Sequence, residues 1–303
     1  MELKVQNEQS LLIYLEKITK RSSSISKFYL FRRKFKAFFF SIIYFLMTFI
    51  TILPLIFILT YLFYKGFSGF SLDFLLKNPA PVGEEGGGVA NGIIGSGIIM
   101  LVAAVLSIPT GIIVGVFISE YNKYKIIKYV GYSLDLIQGT PTIIIGMFVY
   151  VLLVLPLKTF SAIAGGAALS IIMIPVICKS IIEVLQLVPH TVREAGFALG
   201  LPKWKVSLYV VLGAAKKGII TAVLLAISRV SGETAPLLFT AFGNQFFSLN
   251  PLKPIASLPL QIYNYSISPY EEWHNIAFSA SLLLVLMVLG TNLIVRIFFA
   301  DKN

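Results

Sequence analysis

Apolar and polar residues alternate along this chain in blocks far longer than a strand or a turn of helix. Six apolar runs stand near residues 38–63, 93–119, 133–157, 160–182, 217–242 and 275–299, with short polar stretches between them. A helix rises about 1.5 Å per residue and the hydrocarbon core of a bilayer is about 30 Å thick, so runs of about 20 residues are long enough to cross it. Lipid offers no partners to backbone N–H and C=O groups, which leaves the helix as the form such runs take. The pattern predicts an all-α membrane protein with six transmembrane helices. Pro54 and Pro109 fall inside the first two spans, where neighbouring groups can satisfy the freed backbone. Gly111 and Gly115 in the second span, and Gly165, Gly166 and Ala167 in the fourth, present thin faces suited to close helix packing.

Charge orients the spans. Of the 25 lysines and arginines, nine precede residue 38, three lie at 123–128, six at 179–217 and two after residue 295. The alternate flanks hold only Lys65, Lys77, Lys158 and Lys253, and Arg229 lies within a span. Basic residues accumulate on the cytoplasmic side, so both termini and the segment 183–216 are expected there, with 64–92 as an external loop. Residues 1–37 form a basic extension whose Leu11, Leu12, Leu15 and Ile18 make an apolar patch suited to an anionic lipid surface. The net charge of +11 therefore reads as membrane topology and not as a nucleic-acid surface. No small-residue cleavage site follows the first apolar run, which is expected to be retained as a helix.

The longest polar segment inside the core, 183–216, carries its own helix signals. Pro189, His190 and Thr191 can start a helix, and Glu194 falls in its first turns, where the dipole favours an acid. Gly200 and Pro202 end it. A short surface helix is predicted there, either an ordinary connection or a helix that lies in a partner's groove.

The fifth span carries Arg229 and Glu233, about 18 and 24 Å along a continuous helix from Lys217. A charge facing lipid at that depth costs about 2.5–3.5 kcal/mol. Four residues apart on a helix, the two can pair, while Gly232 and Pro236 predict a kink or interruption. Two readings stay open: an ion pair that fixes packing, or charges lining a transport path beside a helix break. In the second, Arg229 attracts an anion through its planar fork and Glu233 holds it in reserve. Asp135, six residues before Pro141, is a third acid that lines the same path or caps a helix.

The stretch from Glu194 also resembles the EAA loop of permease subunits of ATP-driven importers. Glu194, Ala195 and Gly200 hold the motif's places and Leu212 its late leucine, while Gly196, Val210 and Gly213 depart from it. The run Ser231-Gly-Glu-Thr-Ala-Pro-Leu-Leu-Phe-Thr240, then Ser257-Leu-Pro-Leu-Gln-Ile-Tyr263 and Pro269-Tyr-Glu-Glu-Trp273, is similar to the C-terminal signature of the PstA family of phosphate importer permeases. Gly139 through Gly146 is similar to that family's third-span entry. The resemblance begins near residue 88 and leaves the first ~36 residues uncovered, with helix-forming spans of ordinary length beyond them. It implies a type I ABC importer permease of MetI-like fold in a prokaryotic cytoplasmic membrane. It also implies a PstC-like paired permease, two PstB-like ATPase subunits that use ATP and Mg, and an external PstS-like binding protein. Glu194, Ala195, Gly196 and Gly200 would then meet the ATPase. The rival within that class is a permease for sulfate, molybdate or phosphonate.

The chain has no features of an enzyme. Glu84-Glu85-Gly86-Gly87-Gly88 lacks the Gly-Lys-Ser/Thr of a phosphate-cradling loop, so no ATP site or other cofactor is expected in this chain. His190 and His274 fall on opposite sides of the membrane and cannot share a metal. The single cysteine, Cys178, lies in an apolar run and reads as a small core residue.

Overall fold

A computed structural model describes residues 27–81 and 86–299. The apolar patch at Leu11–Ile18 and the Glu84–Glu85 pair lie outside the described residues. Among those described, the backbone is helical with no strand beyond one isolated bridge between Phe242 and Ile255. The chain divides into two compact units, Met1–Tyr61 and Leu62–Asn303.

The described part of the first unit is the body of α1 (Lys27–Ser68), a helix of 42 residues. It starts well before the predicted residue 38, because Arg32, Arg33, Lys34 and Lys36 are themselves good helix formers. Its apolar window is exposed on every side, the character of a helix made for lipid or for other helices. Its threonines carry no unmet polarity into that setting. Thr48, Thr51 and Thr60 donate to the carbonyls of Tyr44, Met47 and Ile56, one turn back, at 2.7–2.8 Å.

The second unit is built on two helices, α3 (Ala90–Glu120) and α6 (Ala162–Gln186). Before them comes α2 (Leu72–Leu76), whose Phe74 N–H donates to the Ser71 hydroxyl at 3.1 Å. In α6 the residues Leu169, Met173, Ile177, Ile181 and Leu185 recur every four positions and are buried. A Cβ on Gly166 would stand 2.5 Å from Val102, one on Gly111 2.7 Å from Ile177, and one on Gly115 3.0 Å from Ile181. Contacts that advance together along both chains mean that the helices run parallel, and the missing side chains let their backbones close up. Buried Cys178 donates its thiol to the Gly111 carbonyl at 3.3 Å, part of the same seam.

Around this pair lie α4 (Lys125–Gly139), α5 (Thr142–Leu157), α7 (His190–Ala198), α8 (Lys203–Ala214), α9 (Lys216–Val230), α10 (Ala235–Thr240), α11 (Leu258–Ser266) and α12 (Glu271–Phe299). Among the described residues four helices are long and apolar enough to cross a membrane, and up to six spans result if each bent pair counts as one. Buried Asn91 holds the far loop in place. Its amide donates to the carbonyls of Asn244 (2.7 Å) and Gln245 (3.2 Å), and its own carbonyl accepts from Gln261 (2.7 Å).

Two sequence expectations need correction. The third span is no single rod over 133–157, since α4 and α5 meet at 102°. Pro141 excludes the helical region for the residue before it, and Thr140 sits extended at φ −77°, ψ 131°. The fifth span is interrupted where Gly232 and Pro236 predict it, with α9 ending at Val230 and α10 starting at Ala235. The polar segment 183–216 is not one loop with one helix. It holds both α7 and α8, and α8 meets α9 at 77°.

Candidate functional site

Pro189, at φ −56° and ψ 145°, turns the chain out of α6 and into α7. At its other end α7 closes in a Schellman arrangement. Gly200 takes φ +73°, its N–H donates to Phe197 O at 2.9 Å, and Leu201 N–H reaches Gly196 O at 3.3 Å. Pro202 then opens α8. Between these ends Glu194, Ala195, Phe197 and Ala198 are exposed and Gly196 is buried. A Cβ on Gly196 would lie 3.0–3.1 Å from both γ-methyls of Val206. That contact gives a physical reason for glycine where the resemblance expects alanine: α8 comes closer here than a methyl allows without Val206 yielding.

Val192 packs against the core, and Arg193, in sequence no more than one cation among six at 179–217, turns inward beside it. Its Nε and Nη2 donate to Glu120 Oε1 at 3.1 and 2.8 Å, Nη1 to Val188 O at 2.7 Å, and Nη2 to Leu185 O at 2.9 Å. Both side chains are largely buried, with 15% of the arginine and 8% of the glutamate exposed. The available signal was an acid at the last position of a helix, where the dipole disfavours it. Beside the pair opens a crevice of 580 Å³ edged by Lys123, His190 and Lys203. Lys203 Nζ stands 4.3 Å above the Tyr121 ring.

The second candidate region is the interruption between α9 and α10. Ser231, Gly232, Glu233 and Thr234 leave the helix, and Pro236 occupies the first turn of α10. Glu233 N–H still reaches Val230 O at 3.0 Å and Leu237 N–H reaches Thr234 O at 3.1 Å, so the chain re-enters helix within a few residues. The expected pairing of Arg229 with Glu233 does not occur. Four-residue spacing brings side chains together only on a continuing helix, and this one ends between them. Arg229 is exposed and Glu233 half-buried. Ser231 and Leu237 border an apolar cavity of 170 Å³ reaching Ile99, Leu169 and Met287, which neither charged residue lines. On the other side α10 rests on α5, where a Cβ on Gly146 would fall 2.6 Å from Pro236 Cα.

Asp135 stands apart from both regions. On α4 it pairs with Lys179 of α6 at 2.6 Å, with 61% and 38% of the two side chains exposed. Among the described residues no cluster of three or more histidine, cysteine, aspartate or glutamate side chains could hold a metal ion.

The parallel seam of two glycine-faced helices, the two elbowed spans and the outward-facing short helix belong to a membrane subunit of a binding-protein-dependent transport system, as the sequence comparison shows. Residues 107–300 match the family described as binding-protein-dependent transport system inner membrane component. The phosphate transport system permease protein PstA of Yersinia pestis is 41% identical over 240 residues, covering 79% of this chain and 81% of the relative. Its counterpart in Haemophilus influenzae is 42% identical over 241 residues, 79% and 85% of the two chains. The chain belongs to the inner-membrane-component family and, within it, to the PstA permeases. An inward-facing MetNI methionine ABC transporter shares the fold at a TM-score of 0.54 and 18% identity, over 69% of this chain and 93% of that one.

Proposed function

We propose that this chain is one of two membrane subunits of an ATP-driven importer of inorganic phosphate, in the cytoplasmic membrane of a prokaryote. The observation that carries the reading is its relation to phosphate transport permeases over 79% of its length. The geometry of α7 supports it, because the helix is fixed on its inner side and offers Glu194 and Ala195 outward, as a docking helix must. The basic bias of the α7 side supports a cytoplasmic placement. Two PstB-like ATPase subunits bind there and hydrolyse ATP with Mg, a PstC-like permease completes the pathway, and a PstS-like protein delivers phosphate from outside. Arg229 and Glu233 act separately in this scheme. The exposed guanidinium draws the anion towards the α9–α10 interruption, and Glu233 lies a few residues further along the path.

The test is labelled phosphate uptake into vesicles holding the full assembly, with the binding protein supplied and ATP present or absent. ATP-dependent uptake that is lost in Glu194→Ala, with the assembly's content of this chain unchanged, is the expected result. ATP-driven uptake of another oxyanion in place of phosphate would overturn the substrate, and uptake without ATP would overturn the importer.

A further inference from the structure

One guanidinium ties three helices together. Arg193 belongs to α7, Glu120 is the last residue of α3, and Leu185 and Val188 bracket the end of α6. The Leu185 carbonyl would look to Pro189, which has no N–H, for its α-helical donor and in its place accepts a 3.3 Å bond from Val188 N–H, and a cation is the group a helix C-terminus favours. Glu120 is the reverse case, a carboxylate placed where the α3 dipole opposes it. Only the arginine makes that placement tolerable, and with 8% of its side chain exposed the carboxylate has little water to fall back on. A buried pair of this kind is a poor source of stability in itself, while removing one member leaves an orphaned charge. Its merit is geometric: the fork fixes both the distance and the angle between the elements it joins.

What those elements are gives the pair its meaning. α3 and α6 form the parallel seam closed by Gly111 and Gly115 against Ile177 and Ile181, so they move as one body. On its other flank α7 touches α8 through Gly196 and Val206, and α8 leads through its 77° elbow into α9 and the interruption at Gly232. Thus α7 has one rigid attachment to the seam and one van der Waals attachment to the elbowed span. We propose that Arg193 and Glu120 form a positioning strut that makes the seam follow α7, so that force applied at the docking helix reaches the pathway without being lost in the loop. The proposal rests on the importer reading, and it adds two residues that the motif does not include.

The experiment uses the complete assembly in vesicles and measures phosphate uptake and ATP hydrolysis side by side. Glu120→Gln and Arg193→Gln are expected to lower the phosphate moved per ATP by about 5- to 150-fold, the usual range of coupling between two sites, while hydrolysis continues. Arg193→Lys, which keeps the charge and loses the fork, falls between. Uptake and hydrolysis falling in proportion, or neither falling, overturns the strut. If the variants do not assemble, the same point is decided in an assembly with the native strut. Spin labels at Asn122→Cys and Ala198→Cys, with Cys178 buried and unreactive to the label, report the separation of α3's end from α7. A separation constant between nucleotide-free and ATP-bound states is expected, and a change beyond the about 2 Å of an ordinary helix shift overturns the proposal. Absence of any ATP-driven uptake by the wild type defeats the importer reading instead, and the label distance then still reports on the strut.

Discussion

Gly146→Ala tests how α10 is held after the interruption. A Cβ at position 146 falls 2.6 Å from Pro236 Cα, 3.0 Å from its carbonyl oxygen and 3.2 Å from its carbonyl carbon. Ordinary contact begins near 3.4 Å, so the added methyl is about 0.8 Å too close in an interior that has no slack to give. All three atoms are backbone, and no rotamer change relieves the clash. Overpacking of this kind costs about 1–3 kcal/mol, while replacing a helical glycine by alanine returns about 0.5–1 kcal/mol. The net runs from about 0 to 2.5 kcal/mol of loss, and a 2.6 Å contact with backbone atoms places it in the upper half. Gly131 supplies the control, since it lies inside α4 with nothing within 4 Å of its would-be Cβ. Gly131→Ala keeps the propensity gain without the clash. The assay heats each purified variant in the same detergent and records the temperature at which half the monodisperse protein is lost. The half-loss temperature should fall for Gly146→Ala and hold or rise for Gly131→Ala. A Gly146→Ala chain as stable as the wild type would refute the contact between α5 and the helix that re-enters after Gly232.

Three further outcomes follow from named contacts. Gly200→Val forces a β-branched residue to φ +73°, a local strain of about 1–3 kcal/mol; amide exchange across residues 190–201 should accelerate, and unchanged protection would remove the Schellman closure. Asp135→Asn breaks a pair in which both side chains are more than one-third exposed, worth about 0–1 kcal/mol, so uptake should stay near wild type; its abolition would put Asp135 in the path. Arg229→Lys keeps the charge and loses the fork, and the phosphate concentration for half-maximal uptake should rise about tenfold, the equivalent of one charge-assisted hydrogen bond; unchanged affinity and rate would dismiss a forked contact with the anion.

What the sequence made legible was whatever lipid or the local backbone enforces. The six apolar runs were visible because a bilayer demands about 20 apolar residues per crossing. The limits of α7 were visible because Gly200 and Pro202 act within a turn of themselves. The bend at Thr140 was hidden inside an equally apolar run, since hydropathy reports what a segment is made of and not which way it points. The expected Arg229–Glu233 pair failed for a related reason: it assumed that the helix survives Gly232, although that glycine and Pro236 had already been read as a break. Arg193 and Glu120 are 73 residues apart, beyond the reach of any periodic pattern. The one local hint was an acid at the wrong end of a helix.

The two elbows bear on the kind of membrane in which this chain can work. A straight helix meets a thinner bilayer by tilting, but α3 and α6 share a backbone-close seam and can tilt only together. The α4–α5 joint at 102° and the α8–α9 joint at 77° lie outside that seam, although Asp135–Lys179 ties α4 to α6 and a Cβ on Gly218 of α9 would run into Val184 of α6. Opening or folding them changes how much of each span crosses the hydrocarbon without parting Gly111 and Gly115 from Ile177 and Ile181. Changes in acyl-chain length should therefore be absorbed at Thr140–Pro141 and at Ala215, which makes these joints, and not the central pair, the parts through which lipid composition sets the working range of the protein.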